Sequence, residues 1–412
     1  MNEKIIVLDN GVKLVLCPDN TRNQTYAKLI VNYGGKIKRF LRDNKEYYIT
    51  DGIAHLLEHT IVENNIYGGM HKYYKDKYVE FNASTDESRT TFYINTVFDF
   101  YEHLEELIKI VNCPIFVNDA LKNTKGPIID EIKTSCSSPN YEYNKKLNEI
   151  IYNNSEYRSV LGSIDDLLKA DAEYLRIIHE TFYQPSNQII FIIGAFDVDK
   201  TIKLIEDIYN SLNKKKIEYK VLNKLLTTKF NNKYETIVDD RYDELINFSF
   251  KVDLSKLSNF NKMKCFYYLN YFLNSSFNDT SDIFKDLQSR GIIVYSIDRS
   301  FRLIDNDICV INICFWGNDL ELFENVVNDV FKEKKYDEER FLLHKKRFIT
   351  DMIIDSNNII LIAKNLLNNI LEFDYYDILK IEDVEKVNID DYLSMLNSLD
   401  FSSYGVVLRK KK

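Results

Sequence analysis

The sequence predicts an α+β protein made of two similar domains. Its first half mixes short apolar strand patterns with amphipathic helix patterns, and its second half repeats that order. A length of 412 residues, with 45% hydrophobic and 28% charged residues, suits two domains of a soluble globular protein. We expect a first domain over residues 1–213, a basic connection over 214–233 and a second domain over 234–412.

The elements of the first domain follow from local patterns. β-Branched and aromatic residues cluster or alternate in four predicted strands, KIIVL, VKLVLC, YAKLIVNYG and RTTFYINTV. Apolar residues recur at helical spacing in three predicted helices, within DGIAHLLEHTIVENN, DFYEHLEELIKIVN and NDALKNTKGPIIDEIKTS. Gly126 and Pro127 are expected to kink or restart the last helix, because proline has no N–H to donate and its ring crowds the preceding turn.

The second half runs through the same series of patterns. Its predicted strands are YDELINFSFKVD and NDICVINICFWG, and its predicted helices are NKMKCFYYLNYFLNSS, DLELFENVVNDVFKE and DEERFLLHKKRFITDM. TTFYIN aligns with DICVIN, and DFYEHLEELIKIV with DLELFENVVNDVF, at an offset of about 216 to 220 residues. The alignment indicates an internal duplication.

Composition argues against several classes of function. A net charge of -9 with no compensating basic face argues against a nucleic-acid-binding protein. The six cysteines show no C-x-x-C spacing, so we expect reduced and mostly buried thiols. The N-terminus has no basic start followed by an apolar run, and nowhere do about 18 apolar residues run together. These two features favour a cytoplasmic location.

One stretch, DGIAHLLEHTIVENN, concentrates ionisable side chains of catalytic type. His55 and His59 lie one helical turn apart, with Glu58 beside the second. On a helix the two imidazoles project about 40° apart, and Glu58 lies roughly 60° to the other side of His55. One interpretation of this pattern is purely structural, with the two histidines capping an apolar stripe of the helix. The other interpretation is catalytic. The two neutral imidazoles would be two ligands of a zinc site that still needs a third protein ligand, and Glu58 would be the base that takes a proton from water.

The duplication confines this chemistry to the first domain. The counterpart of the histidine-bearing helix in the second half, FYYLNYFLNSS, contains no histidine or glutamate. The second domain is therefore expected to contribute something else. The remaining histidines, His71, His103, His179 and His344, stand alone, and we expect them to be surface or capped side chains.

With the motif HLLEH, the sequence resembles the pitrilysin or M16 family of zinc metallopeptidases, the inverzincins. The resemblance extends over nearly the whole chain, through LDNGVKLVLCPD, FNASTDESRTTFYI, EYRSVLGSIDDL, FYQPSNQIIFIIGAFD and LQSRGIIVYS. It is to short two-domain bacterial members, similar to mitochondrial-processing-peptidase-like subunits. It implies two homologous domains, each a mixed, antiparallel-rich sheet covered by helices, forming half of a clam-shell. It also implies a homodimer, or a heterodimer with a related chain, around a peptide substrate.

The resemblance also implies a metal site. One Zn2+ per chain would be held by His55, His59 and Glu131, while the neighbouring Asp130 would point about 100° away on a helix. The family commonly carries another glutamate two turns before this ligand, and Thr124 stands at that position here. A carboxylate that could orient a ligand histidine is therefore expected to be missing, with weaker zinc binding or slower turnover as the consequence.

Substrate contacts are implied in both domains. The family holds its peptide as an extra strand beside an edge strand, which would be Phe81, Asn82, Ala83, Ser84 and Thr85 here. Without the resemblance, this stretch would be interpreted as a polar turn before a strand. In the second domain the family pairs an arginine with a later tyrosine. Tyr295 matches the tyrosine and is a candidate hydroxyl donor to the oxyanion, but Gln288 replaces the arginine, with Arg290 close by. A partly buried strand aromatic is the alternative for Tyr295.

The expected function is therefore that of a zinc-dependent endopeptidase that cuts short, unfolded peptides. The substrate class includes a ribosomally made peptide, such as a bacteriocin, that needs maturation. The alternative is a non-catalytic structural or peptide-binding subunit of a heterodimer. The intact Glu58 argues against this alternative, whereas Thr124 and Gln288 argue for it.

Overall fold

In a computed structural model the chain forms two compact units. The structure describes residues 3–153, 159–223, 226–231, 233–257, 262–293, 295–305, 307–373 and 380–412. It does not describe the side chains of 262, 263, 366 and 368–373. The first unit comprises Met1–Ser137 and Arg158–Lys224, and the second Ser138–Tyr157 and Leu225–Lys412. Residues 224, 225 and 232 of the predicted connection, and 156–158 and 294 of the segments that carry the resemblance, lie outside this description.

The described strands of the first unit form two sheets. The strands are β1 (Lys4–Val7), β2 (Lys13–Pro18), β3 (Thr25–Val31), β4 (Arg39–Arg42), β5 (Lys45–Tyr48), β6 (Glu80–Thr85), β7 (Thr90–Thr96), β8 (Gln188–Gly194) and β9 (Tyr219–Val221). The larger sheet has the order β1-β2-β8-β3-β7-β6, and the smaller sheet has the order β5-β4-β9. In the larger sheet β2 and β8 run parallel, and the other neighbours run antiparallel.

Helices pack on the larger sheet and share its core. They are α1 (Ile53–Glu63), α2 (Met70–Tyr74), α3 (Phe100–Asn112), α4 (Asn118–Cys136), α6 (Ile164–Lys169), α7 (Ala172–Phe182) and α8 (Val198–Leu212), while α5 (Tyr141–Ile151) belongs to the second unit. Buried side chains of sheet and helices, such as Leu29, Phe92, Leu56 and Leu107, form one apolar cluster. The strand β8 is buried throughout, as its continuous apolar run QIIFIIG requires of a central strand.

The strands described in the second unit form one five-stranded sheet. Its strands are β10 (Tyr234–Val238), β11 (Leu245–Asp253), β12 (Asp298–Asp305), β13 (Ile308–Trp316) and β14 (Tyr404–Lys410), in the order β10-β14-β11-β13-β12. Only β10 and β14 run parallel among these neighbours. The helices besides α5 are α9 (Lys262–Phe277), α10 (Asp282–Ser289), α11 (Leu320–Glu333), α12 (Glu338–Asp355), α13 (Ile359–Phe373), α14 (Ile381–Glu385) and α15 (Ile389–Ser398).

The two units share one topology, which confirms the predicted fold class and the duplication. Taken in chain order, β2, β3, β6, β7 and β8 occupy the places in the first sheet that β10, β11, β12, β13 and β14 occupy in the second. The histidine-bearing helix α1 lies between β3 and β6 in the chain, and α9 lies between the equivalent strands β11 and β12. Within the part of the chain that the structure describes, β6 in the first unit and β12 in the second each lie at one end of their sheet with one edge unpaired.

The helix α4 differs from the sequence prediction. A kink or a restart was predicted at Gly126 and Pro127, and of these the restart is wrong, because one helix runs through both residues. Leu121, Thr124 and Ile128 are buried along one face of the helix, and this packing holds the helix together through the residue that lacks an N–H.

Two further expectations concern the cysteines and the membrane. The six cysteines are free, and Cys17, Cys265, Cys309 and Cys314 are buried, as the spacing predicts. Among the described residues, no helix combines the length and apolarity needed to cross a membrane.

Candidate metal centre

The start of α1 is fixed by a close crossing of two backbone segments. Gly52 precedes the helix with a φ of 80°, a left-handed conformation that glycine adopts without strain. A Cβ atom on Gly52 would lie 2.5 Å from the carbonyl oxygen of Leu161, and one on Gly162 would lie 2.5 Å from that of Asp51. The backbone N–H of Ser159 also donates to the Asp51 carboxylate at 3.0 Å. The segment 159–162 therefore braces the end of α1 from which the motif begins.

The helix α1 divides into an apolar face and a polar face. Ile53, Leu56, Leu57 and Ile61 are buried in the core of the first unit. The side chains of His55 and His59 remain 12% and 20% exposed on the other face. The apolar anchoring fixes the rotation of the helix, and thereby the direction of both imidazoles.

Side chains from α1 and α4 face one another at this polar face. The Nε2 atom of His55 lies 3.6 Å from one oxygen of Glu131, and the Nε2 atom of His59 lies 3.8 Å from the other oxygen. The two imidazole rings are 4.6 Å apart and nearly perpendicular, at 86°. One ligating atom from each of the three residues lies within 4.8 Å of the others. The structure thus brings together the residues that the sequence and the resemblance proposed as metal ligands.

The chemistry of these donors fits a zinc ion. Neither histidine–glutamate separation is short enough for a hydrogen bond. Burial, and to a smaller extent His59, lower the pKa of His55 to about 4, so this imidazole is neutral and can offer a lone pair. Ligands about 2 Å from a tetrahedral zinc stand about 3.4 Å from one another, close to the separations here. The Glu131 side chain is 46% exposed, which leaves one side of the cluster open to solvent.

Glu58 lies beside these donors but faces a different partner. It is only 6% exposed, and the hydroxyl of Thr85 donates a hydrogen bond of 2.6 Å to its Oε2 atom. Burial raises the pKa of Glu58 to about 7, against the opposing effect of the Thr85 hydrogen bond, and the charge of Glu131 raises it further. A carboxyl group with a pKa near neutrality suits proton transfer at physiological pH.

The neighbours of Glu131 on α4 do not join the cluster. Asp130 is exposed and pairs with Lys133 at 3.2 Å. Thr124 is fully buried, and its hydroxyl oxygen accepts a hydrogen bond of 2.8 Å from the side-chain amide of Asn64. The buried Nδ1 atom of His55 has no hydrogen-bond partner within the described residues. No carboxylate at position 124 is therefore available to orient a histidine.

The segment Phe81–Thr85 lies in β6, at the edge of the larger sheet. Its side chains alternate between exposed and half-buried positions. Phe81 packs against the ring of His71, with centroids 4.9 Å apart, and Ser84 shares a hydrogen bond of 2.9 Å with Thr91. Asn82 and Ala83 lie between them, and the Asn82 side chain accepts a hydrogen bond from the Ala83 N–H at 2.8 Å. No strand among the described residues pairs with the outer edge of β6, as strand addition by a peptide requires.

The candidate substrate contacts Gln288, Arg290 and Tyr295 belong to the second unit. Tyr295 is 54% exposed, and its ring meets Trp316 edge-on with centroids 5.9 Å apart. Gln288 is exposed at the end of α10. Arg290 is exposed and pairs with Asp286 at 3.0 Å. Tyr295 is thus a surface aromatic rather than a partly buried strand residue.

Two of the isolated histidines are not at the surface. His103 and His179 are buried, so of the predicted surface or capped positions only the surface position is wrong for these two residues. The Nδ1 atom of His103 lies 2.9 Å from the Glu106 carboxylate, and the Nε2 atom of His179 lies 3.0 Å from the carbonyl oxygen of Val111. Both contacts satisfy a buried imidazole, a role that sequence spacing alone did not indicate.

Comparison with known protein families places this geometry in context. The profile described as insulinase (peptidase family M16) matches residues 15–163, and the profile described as peptidase M16 inactive domain matches residues 169–348. The chain belongs to the M16 peptidase family. The first of these M16 profiles spans α1, β6 and α4, and with them the whole candidate metal centre. The second spans α9, where the equivalent helix has no histidine.

One M16 relative is similar to about half of this chain. The uncharacterized zinc protease YmfH of Bacillus subtilis is 29% identical over 203 residues, which cover 48% of this chain and 47% of that protein. The match thus spans about half the length of this relative.

Solved structures share the fold along the whole chain. An M16-like peptidase from Alicyclobacillus acidocaldarius has a TM-score of 0.84 at 18% identity, covering 100% of this chain and 98% of that one. The periplasmic protease PqqL from Escherichia coli has a TM-score of 0.77 at 14% identity, covering 99% of this chain but 47% of that one.

Proposed function

We propose that this M16 chain is a zinc-dependent endopeptidase that hydrolyses short, unfolded peptides. The observation that carries the proposal is the convergence of His55, His59 and Glu131 beside a buried Glu58 whose pKa is raised to about 7. Two imidazoles and one carboxylate with an open side form the donor set of a catalytic zinc site, as distinct from a closed structural site. The similarity to a relative named as a zinc protease supports the same assignment.

In this proposal each residue of the first unit has a separate role. His55, His59 and Glu131 would hold zinc, which supplies Lewis acidity toward a peptide carbonyl and toward water. Glu58 accepts the proton of the attacking water and delivers it to the leaving amine. The burial that raises the pKa of Glu58 favours both transfers, because the carboxyl group gains and loses a proton near neutral pH.

The substrate is proposed to bind along the unpaired edge of β6. An extended peptide would add as a further strand and pair its backbone with that of Phe81–Thr85. Backbone pairing requires an extended segment, so unfolded peptides fit this edge and folded domains do not. Ribosomally made peptides that need maturation, such as bacteriocins, belong to this substrate class. Tyr295 is proposed as a hydroxyl donor to the oxyanion, with Gln288 and Arg290 as further substrate contacts.

A second chain is proposed to complete the active assembly. This chain covers 47% of the PqqL chain, so a protein with the same fold has about twice its length. Two copies of this chain, or this chain with a related M16 partner, would supply the equivalent of both halves. Enclosure would also exclude bulk water from the reacting groups.

The variant Glu58→Gln tests the proposed base. Glutamine keeps the size of the side chain and removes the proton acceptor, so zinc content should persist while cleavage of a fluorogenic peptide falls by about 100- to 10,000-fold. Glu63→Gln, on the last turn of the same helix, is the matched control and should cleave at the parental rate.

Two results would change the assignment. Loss of zinc from Glu58→Gln would make Glu58 a ligand and remove the base from the mechanism. A parental chain that binds zinc but cleaves no peptide, even with a related chain added, would favour the non-catalytic subunit. The observation that favours this alternative is at Thr124, whose hydroxyl is hydrogen-bonded to Asn64 and not to a proposed metal ligand.

A further inference from the structure

The hydroxyl of Thr85 contacts Glu58 from the edge strand. Its Oγ1 atom donates to Oε2 of Glu58 at 2.6 Å, across 27 residues of chain. The other carboxylate oxygen, Oε1, has no hydrogen bond within the part of the chain that the structure describes. The two oxygens of Glu58 are therefore not equivalent, since one is held by β6 and one is free to act.

The neighbours of Thr85 fix the direction of its proton. Thr85 pairs with Thr90 across β6 and β7, but their hydroxyl oxygens are 3.4 Å apart. Thr90 is fully buried and donates its own proton to the carbonyl oxygen of Tyr33 at 2.9 Å. Since each hydroxyl has one proton to give, Thr90 has none for Thr85, and the proton of Thr85 goes to the nearer carboxylate.

We propose that Thr85 is a positioning residue that holds Oε2 of Glu58 and so directs Oε1 toward the attacking water. The inference rests on the proposed function, because only a catalytic Glu58 needs a defined orientation. It deepens that function by linking two parts of the site. The strand proposed to bind the peptide backbone also fixes the base, so the peptide and the proton acceptor are placed by one rigid element.

The alternative interpretation is that this hydrogen bond is structural and only satisfies a buried carboxylate. The two interpretations differ in what happens to the reaction when the hydroxyl is removed. A structural bond contributes to stability, whereas a positioning bond contributes to kcat at a constant KM, since backbone groups of β6 and not the Thr85 hydroxyl would bind the peptide.

The test compares Thr85→Val, which keeps the β-branched shape, with Thr85→Ser, which keeps the donor. Thr85→Val should lower kcat by about 10- to 100-fold, with KM within about twofold of the parent and zinc content unchanged. Thr85→Ser should recover most of kcat. Thr91→Val is the matched control, because its hydroxyl bonds to Ser84 and not to Glu58, and it should retain the parental kcat.

A crystal structure of Thr85→Val provides a readout apart from activity and should show the Glu58 carboxylate rotated from its parental position. A parental kcat in Thr85→Val, an equal loss in Thr85→Ser and Thr85→Val, or an unmoved carboxylate would overturn the inference. Glu58→Gln measured in parallel separates the two proposals. If Glu58→Gln is impaired and Thr85→Val is not, only the positioning role fails; if Glu58→Gln cleaves like the parent, the proposed function fails with it.

Discussion

Replacing Glu58 with glutamine is expected to stabilise the metal-free chain, and most strongly above neutral pH. Burial raises the pKa of this carboxyl from 4.5 to about 7, so the folded state disfavours the ionised form. The contribution of the protonated Glu58 to the free energy of unfolding is fully present below pH 4.5, where the group is protonated in both the folded and the unfolded state. This contribution is lost as the pH rises through about 7. Glutamine carries no charge, and its amide oxygen can still accept the hydrogen bond of Thr85.

The magnitude follows from the same two pKa values. A rise from 4.5 to about 7 lowers the free energy of unfolding by about 3 kcal/mol at pH 8, and by about 1 kcal/mol at pH 5. For a unit of this size, about 3 kcal/mol corresponds to a Tm difference of roughly 6 to 12 °C. Glu58→Gln should therefore unfold at a higher temperature than the parent at pH 8, with a smaller difference at pH 5.

Calorimetry of chelator-treated protein at pH 5 and pH 8 measures this difference. Glu63→Gln serves as the control, because it changes a half-exposed carboxylate on the same helix and should leave Tm near the parental value at both pH values. A variant no more stable than the parent at pH 8, or a gain that does not change with pH, would refute the reasoning. The expected gain would mean that Glu58 is retained for its chemistry, at a cost in stability.

The remaining predictions concern the second unit and the assembly. His344 packs against Tyr267 and Tyr271, and burial lowers its pKa from 6.5 to about 4, so acidification through this range should remove up to about 3 kcal/mol of stability. His344→Phe should flatten this loss in denaturant unfolding measured against pH, and an unchanged acid-side slope would contradict the prediction. The active species should have the mass of two chains by light scattering and should cut a fluorogenic peptide much faster than a folded protein. Full activity from a strict monomer, or equal digestion of both substrates, would rule out an enclosed site.

Much of the fold was predictable because local patterns agreed with the final structure. The apolar period of α1 and the glycine before it gave both the helix and the face that carries His55 and His59. The duplication predicted two units, and the shared strand order confirms it. The edge strand β6 was different, since FNASTDESRT is polar and only the resemblance indicated a strand there.

The features that sequence reasoning missed depend on distant contacts. Thr85 and Glu58 meet because β6 passes beside α1, and no local pattern indicates which hydroxyl will reach the carboxylate. The α-helix α4 survives Pro127 because its buried face is held by the rest of the unit. His179 is buried where its Nε2 atom meets the carbonyl oxygen of Val111, 68 residues away in the chain. The helix α5 belongs to the second unit because of tertiary packing. Ile150 and Ile151 of α5 lie in one apolar cluster with residues of the sheet of the second unit.

The most direct test of the account is the zinc content of the purified chain, measured by mass spectrometry of the metal. The account predicts one zinc per chain in the parent and in Asp130→Ala, whose side chain pairs with Lys133 away from the cluster. It predicts loss of that zinc from His55→Ala, from His59→Ala and from Glu131→Ala, because each substitution removes one of three convergent donors. Two tightly held zinc ions per chain, or zinc retained after both histidines are replaced, would contradict it.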